Sequence, residues 1–161
     1  MSGDVERLVR TVGLAPHPEG GFYVETKRSP LKVQTPYGER AAFTSIYFLL
    51  AEGTLSALHR VKSDETWHWY DGAPLELTML EDSGKFETPG LGRDRAAGQR
   101  PQATVRGGVW QAAVPLGGWA LCGCTVSPGF EFEDFELPTR ADLQRRFPAM
   151  VELINKLTRA R

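Results

Sequence analysis

The stretch that decides the fold is residues 53–72, GTLSALHRVKSDETWHWYDG. His59 and Glu65 lie six positions apart within it. Because side chains alternate between the two faces of a strand, this even separation predicts that both side chains share one face. The same parity places Trp67 and Trp69 on that face, where flat apolar rings would form walls for a small-molecule pocket.

An imidazole and a carboxylate that meet inside a barrel have two chemical uses. They are standard ligands for a divalent metal ion. They can also act as a proton-transfer pair, because burial and mutual charge shift both pKa values towards neutrality. The spacing of His59 and Glu65 leaves both uses open.

The sequence on both sides of this stretch is typical of an all-β domain. Short alternating or apolar segments predict strands at 22–28, 43–50, 54–59, 66–71, 75–81, 86–88, 103–106, 109–114 and 119–126. Many short strands at regular spacing favour a sandwich or barrel. Helical spacing is confined to the ends, at 4–12 and from Thr139 onward, with a break or kink expected at Pro148. We expect one domain over 1–161, with a barrel core at about 22–137 and a helical segment at 139–161.

The composition excludes several classes of function. Hydrophobic residues at 41% and charged residues at 24% are ordinary for a globular protein. Apolar runs fall short of the roughly 18 residues of a membrane span, and residues 1–9 lack a signal-peptide core, which predicts a cytoplasmic protein without a membrane partner. A net charge of −1 argues against nucleic-acid binding. Cys122 and Cys124 are expected to be packed thiols, forming neither a disulfide nor a zinc site.

Residues 53–72 resemble the first motif of the cupin superfamily, Gly-x5-His-x-His-x3-Glu-x6-Gly. The matching positions are Gly53, His59, Glu65 and Gly72. Val61 stands where the motif has its second His. The second cupin motif, Pro-x-Gly-x-x-His, is matched at Gly108, but Arg106 replaces the Pro and Gln111 replaces the His.

Longer blocks are similar to one branch of that superfamily, the small single-domain cupins labelled predicted sugar epimerases. These blocks are LxPHPEGGFYxET (14–26), TSIYFLL (44–50), HRVKSDExWHxYxG (59–72), WQAA (110–113) and GCTVxPGFxFxDFEL (123–137). The resemblance implies a cupin double-stranded β-helix, a jelly-roll barrel with short N- and C-terminal helices. It also implies a homodimer that binds a small, sugar-like ligand.

The leading functional hypothesis is an isomerase or epimerase of carbohydrate-like substrates. His59 would remove a proton next to a carbonyl, Glu65 would orient or tune the imidazole, and Gln111 would hold a substrate oxygen. One alternative is a metal-dependent cupin, an oxygenase or lyase with His59, Glu65 and Gln111 as ligands. Another is a non-catalytic binding module. The cofactor prediction therefore stays open between none and a divalent metal.

Further ligand-binding candidates lie on the predicted strands: Tyr23, Glu25, Ser45, Tyr47, Trp67, His68, Trp69, Trp110 and Gln111. His68 is an odd three positions from Glu65, so a regular strand turns it away from the pocket and a bulge would turn it inward. Tyr23 and Glu25 follow a loop of turn residues, Pro18, Gly20 and Gly21. Because N-terminal strands of jelly-roll cupins often cross to a partner, the block with Tyr23 and Glu25 either completes a neighbour's pocket or has a purely structural role.

Overall fold

The computed structural model describes residues 1–160, and the following statements concern that part of the chain. Its helices are α1 (Gly3–Val12), α2 (Arg140–Arg146) and α3 (Val151–Lys156). Its strands are β1 (Ala15–Pro16), β2 (Phe22–Arg28), β3 (Lys32–Thr35), β4 (Gly38–Ala41), β5 (Thr44–Leu50), β6 (Ser56–His59), β7 (Asp64–Gly72), β8 (Leu75–Leu80), β9 (Phe86–Glu87), β10 (Gly90–Leu91), β11 (Gln102–Val105), β12 (Trp110–Pro115) and β13 (Ala120–Ser127).

Two antiparallel sheets face each other and form the barrel. One sheet has the strand order β1-β2-β5-β13-β7-β11, and the other has the order β10-β8-β12-β6 with β9 paired to β8. A separate hairpin pairs β3 with β4. Apart from the pairs β1–β2 and β8–β9, neighbouring strands in these two sheets are not consecutive in the chain, as expected for a jelly roll. The prediction of an all-β jelly roll with short terminal helices is confirmed.

The main core lies between the two sheets, because alternate residues of each strand point inward. Phe48 of β5 and Trp67 of β7 meet there edge to face, with ring centroids 5.5 Å apart, and both are almost fully buried. Leu75 and Leu77 of β8 pack against them from the other sheet. Burying one such apolar side chain contributes about 1.5–3 kcal/mol.

Helices cover the outer faces of the barrel. Helix α1 packs Val5 against Leu49 on the outside of the larger sheet. Helices α2 and α3 pack on the outside of the smaller sheet through Leu143 and Ile154, and a 3-10 turn that starts at Pro148 separates them. Within residues 1–160, no helix has both the length and the apolar character needed to cross a bilayer.

Candidate functional site

A cavity of about 210 Å³ opens at one end of the barrel. Ionisable side chains on its wall are His17, Glu19, Tyr23, Glu25, Arg28, His59, Glu65, Cys124 and Glu131. The rest of the wall consists of Thr44, Ile46, Val61, Val126, Phe130, Phe132 and Phe135. An apolar cavity of about 150 Å³ already admits benzene, so this space can hold a small organic molecule.

A buried ion pair lies at the base of the cavity. Glu19 Oε2 is 3.0 Å from His59 Nε2, and the two side chains are 7% and 2% exposed. The other ring nitrogen of His59, Nδ1, is 2.7 Å from the carbonyl oxygen of Ala57. A carbonyl and a carboxylate can only accept hydrogen bonds, so both ring nitrogens of His59 carry hydrogen.

The loop between β1 and β2 carries Glu19 into the barrel. The backbone carbonyl of Glu19 accepts a hydrogen bond from the Ala57 amide at 2.8 Å, and this bond holds the loop against β6. Gly20 has a φ of 111°, and a Cβ there would lie 2.2 Å from the Leu55 carbonyl oxygen. The approach therefore requires glycine at position 20.

The pKa values of the pair follow from its geometry. Burial alone would lower the pKa of His59, but the charge of Glu19, the hydrogen bond to it and the charge of Glu65 raise the pKa to about 9. Burial alone would raise the pKa of Glu19, but the charge and hydrogen bond of His59 hold it below its usual range. At neutral pH the pair is an imidazolium and a carboxylate.

Glu65 is held by a chain of hydrogen bonds from the core. Trp67 Nε1 donates to Gln111 Oε1 at 2.7 Å, and Gln111 Nε2 donates to Glu65 Oε1 at 2.8 Å. The indole N–H can only donate, so it fixes the orientation of the amide. Burial raises the pKa of Glu65 to about 7, while the positive charge of His59 opposes that rise. Near neutral pH this carboxyl therefore exists in both protonation states.

His17 contributes a neutral imidazole to the cavity wall. The Glu19 amide donates to His17 Nδ1 at 3.2 Å, so this nitrogen is an acceptor and the ring proton lies on Nε2. Burial lowers the pKa of His17, which keeps the ring neutral. Its Nε2–H has no hydrogen-bond acceptor within residues 1–160, although the side chain is only 7% exposed and lines the cavity.

Residues 128–136 form the aromatic rim of the cavity. This segment places Phe130, Phe132 and Phe135 around the opening. It is anchored by Asp134, whose carboxylate accepts two hydrogen bonds of 2.7 Å from the buried Arg40 guanidinium. At the edge of the rim, Arg28 bonds to the Phe130 carbonyl oxygen at 3.1 Å.

The structure places four of the predicted site residues on the cavity wall: His59, Glu65, Tyr23 and Glu25. β2 pairs with β5 of the same chain, so Tyr23 and Glu25 line this chain's own cavity. Gln111 does not line the cavity and acts on it through Glu65. Trp67 faces the barrel interior as predicted, but it is part of the core below the cavity.

Five other candidates lie away from the cavity. Ser45, Tyr47 and His68 belong to the outer face of the larger sheet, where Thr125 contacts both Ser45 and His68. Tyr47 packs there against Tyr70 and is 40% exposed. The alternation of the strands therefore turns these three side chains away from the cavity wall.

The two tryptophans among those five have other partners. Trp69 packs against the main core and donates its indole N–H to the Ala73 carbonyl oxygen at 2.9 Å. Trp110 packs under α2 and α3, outside the barrel, and its indole N–H donates to Asp82. The predicted apolar tryptophan walls are replaced by the phenyl rings of residues 128–136.

The comparison with protein families identifies the chain. The family described as cupin superfamily (DUF985) matches residues 6–138. The chain belongs to the cupin superfamily. Two solved structures match nearly the whole cupin: a hypothetical protein from Leishmania major and a protein from Shewanella oneidensis. The former is 34% identical with a TM-score of 0.90, covering 96% of this chain and 98% of that one. The latter is 38% identical with a TM-score of 0.90, covering 97% and 98%.

Among curated proteins, this cupin is similar to an uncharacterized protein of Saccharomyces cerevisiae. The two are 27% identical over 146 residues, which covers 81% of this chain and 73% of the yeast protein. Oxalate decarboxylase from Bacillus subtilis shares the fold at 16% identity and a TM-score of 0.57, over 88% of this chain and 36% of that one. A structure of that enzyme is described with Mn(II) centres.

The predicted metal ligands do not fit a metal ion as they are arranged here. Both ring nitrogens of His59 are engaged as donors, and the amide oxygen of Gln111 accepts the Trp67 N–H. Val61 lines the cavity at the position of the second motif His and provides no lone pair. Within the described residues, no group of three or more His, Cys, Asp or Glu is placed to hold a metal.

Sequence reasoning missed Glu19 and His17. The turn residues Pro18, Gly20 and Gly21 predict a loop, and that prediction gives no role to the His and Glu of PHPEGG. A signal was present, because two prolines and two glycines around an ionisable pair define a rigid loop that can hold side chains in place. The direction of that loop depends on its contact with β6, which is remote in sequence.

Proposed function

We propose that this cupin binds a small carbonyl compound of sugar-like size and isomerises it by proton transfer through Glu65. The observation that carries the proposal is the position of the Glu65 carboxyl, which is buried on the cavity wall and bonded to the Gln111 amide at 2.8 Å; burial raises its pKa to about 7. A general base or acid works best when its pKa is close to the operating pH. The proposal keeps the expected reaction class but moves the proton carrier from His59 to Glu65.

His59 is unsuited to the role of base. Its Nε2–H and Nδ1–H are both donated, to Glu19 and to the Ala57 carbonyl oxygen, and its pKa of about 9 keeps it protonated. A fixed positive charge near Glu65 stabilises the carboxylate form. It also stabilises negative charge that develops on a bound substrate.

The proposed reaction uses Glu65 and His17. The Glu65 carboxylate takes a proton from the hydroxyl-bearing carbon next to the substrate carbonyl. The electron pair of that C–H bond forms a carbon–carbon double bond, and the π pair of the carbonyl moves onto its oxygen. The His17 Nε2–H donates a hydrogen bond to this oxygen, as a preorganised neutral donor. The proton of the hydroxyl on the deprotonated carbon moves to this oxygen, the electron pair left on the hydroxyl oxygen forms the new carbonyl, and Glu65 returns its proton to the former carbonyl carbon. A single proton carrier suits this transfer between neighbouring carbons better than an epimerisation, which needs a second group on the opposite face.

The test is proton exchange between solvent and substrate. Wild-type protein and the Glu65→Gln variant are incubated with unphosphorylated aldoses and ketoses in deuterated water, and deuterium at carbon is followed by NMR. We expect exchange by the wild type and its loss in the variant. Glu76→Gln, a change of the same chemistry outside the cavity wall, is the matched control.

Two outcomes would favour the alternatives. Sugar binding without any deuterium exchange would indicate a non-catalytic binding module. Exchange that survives in Glu65→Gln would contradict the role of Glu65, whichever sugar is the substrate.

A further inference from the structure

We propose that the natural ligand of this cavity carries a positive charge, as an organic ammonium group seated among the rim phenylalanines and facing Glu65. The inference rests on the cavity being the ligand site, as in the proposed function. It does not depend on proton transfer, and it narrows the substrate class to amine-bearing molecules.

Charge is the first line of support. The cavity wall carries four carboxyl groups, of Glu19, Glu25, Glu65 and Glu131, against the cations of Arg28 and His59. His17 is neutral. The wall therefore has one surplus negative charge when Glu65 is protonated and two when it is ionised.

The two cations on the wall are already paired. Arg28 bonds to Glu25 at 2.8 Å and to Glu131 at 2.9 Å, and His59 bonds to Glu19 at 3.0 Å. A phosphate or carboxylate on a ligand would have to displace one of these carboxylates or lie unpaired beside Glu65. Burying an unpaired charge is costly, so sugar phosphates and nucleotide sugars are poor candidates.

The rim is the second, independent line of support. Phe130 and Phe132 have ring centroids 5.0 Å apart at an interplanar angle of 81°, and Phe135 lies 6.0 Å from Phe132. The face of each ring has partial negative charge, which attracts an ammonium group or the methyl groups on it. Three phenyl rings and the Glu65 carboxyl on the wall of one cavity are complementary to an organic cation.

The experiment compares three probes that share one ring and differ in charge. Benzylamine is a cation at pH 7.5, benzyl alcohol is neutral and benzoate is an anion. Dissociation constants are measured by NMR titration with wild-type protein and with Glu65→Gln. Glu152→Gln on α3, remote from the cavity wall, is the control for a change of charge alone.

We expect benzylamine to bind about tenfold or more tightly than benzyl alcohol, with benzoate weaker than both. Glu65→Gln should reduce that preference, whereas Glu152→Gln should keep it. Equal or tighter binding of benzoate, no binding of benzylamine, or a preference unchanged in Glu65→Gln would overturn the inference. The binding experiment does not depend on turnover, so the two proposals fail separately. Deuterium exchange on neutral sugars without a preference for benzylamine would contradict only this inference. A preference for benzylamine without deuterium exchange would contradict only the proposed reaction.

Discussion

Glu19 and His59, forty positions apart in the chain, form an ion pair of 3.0 Å in which both side chains are more than nine-tenths buried. Glu19 and the Ala57 carbonyl oxygen together engage both ring nitrogens, and the ion pair keeps His59 cationic at neutral pH. This single contact changes the expected division of roles in the cavity. The proton-carrying role moves to Glu65, and His59 becomes the charge that tunes it.

Glu19→Gln should destabilise the protein by about 3–5 kcal/mol, because it leaves the charge of His59 buried without its counter-ion. The pKa of His59 should fall below 7 in the same variant. Urea unfolding measures the first effect, and imidazole NMR measures the second, in a chain with only three histidines. A Glu19→Gln/His59→Gln double variant should recover part of the lost stability. If the double variant loses the sum of both single effects, the two residues are not coupled.

Stability should fall as the pH rises from about 6.5 to 9. His59 has a pKa raised from 6.5 to about 9, so the folded state holds a proton that the unfolded state has released. This stabilisation is present in full below pH 6.5 and is lost as the pH passes 9. The free energy of unfolding falls by roughly 3 kcal/mol over that range. Urea unfolding across this range checks the slope. His59→Gln should flatten it, and a wild-type stability that is constant or rises over this range would contradict the ion pair.

Gly20→Ala should destabilise the protein by about 2–4 kcal/mol, because the residue has a φ of 111° and an added Cβ would overlap the Leu55 carbonyl oxygen. The displaced loop should withdraw Glu19, which lowers the pKa of His59 as well. Gly3→Ala is the control, since a Cβ there meets no atom within 4 Å. Equal stabilities of the two variants would mean that the loop is not held against the Leu55 carbonyl.

Protein purified without a nickel column should contain well under one equivalent of Mn, Fe, Ni or Zn. The reason is the donor set, since His59 is protonated on both nitrogens and Gln111 presents its NH2 to Glu65. Elemental analysis of the wild type beside His59→Ala provides the measurement. One equivalent of metal in the wild type and none in His59→Ala would mean that the Glu19–His59 pair opens to bind the metal. That result would favour a metal-dependent cupin.

The parts of the site that the sequence predicted are those that depend on local geometry. His59 lies on β6 of the smaller sheet and Glu65 on β7 of the larger sheet, and both reach the cavity wall because each is on the inward face of its strand. Ser45 and Tyr47 lie on the outer face of β5, and Ile46 between them faces the cavity. The position of Glu19 depends on how a loop packs against a strand nearly forty residues later, which no local pattern encodes.

The pKa of Glu65 is the quantity that tests the proposed proton transfer most directly. Carboxyl-labelled protein is titrated by ¹³C NMR, and Glu65→Gln assigns the resonance by its disappearance. We expect a midpoint of about 7, because burial raises the pKa of this carboxyl. A midpoint near the ordinary value of 4.5 would mean that Glu65 is a simple buried anion and would remove the proton carrier from the proposed reaction.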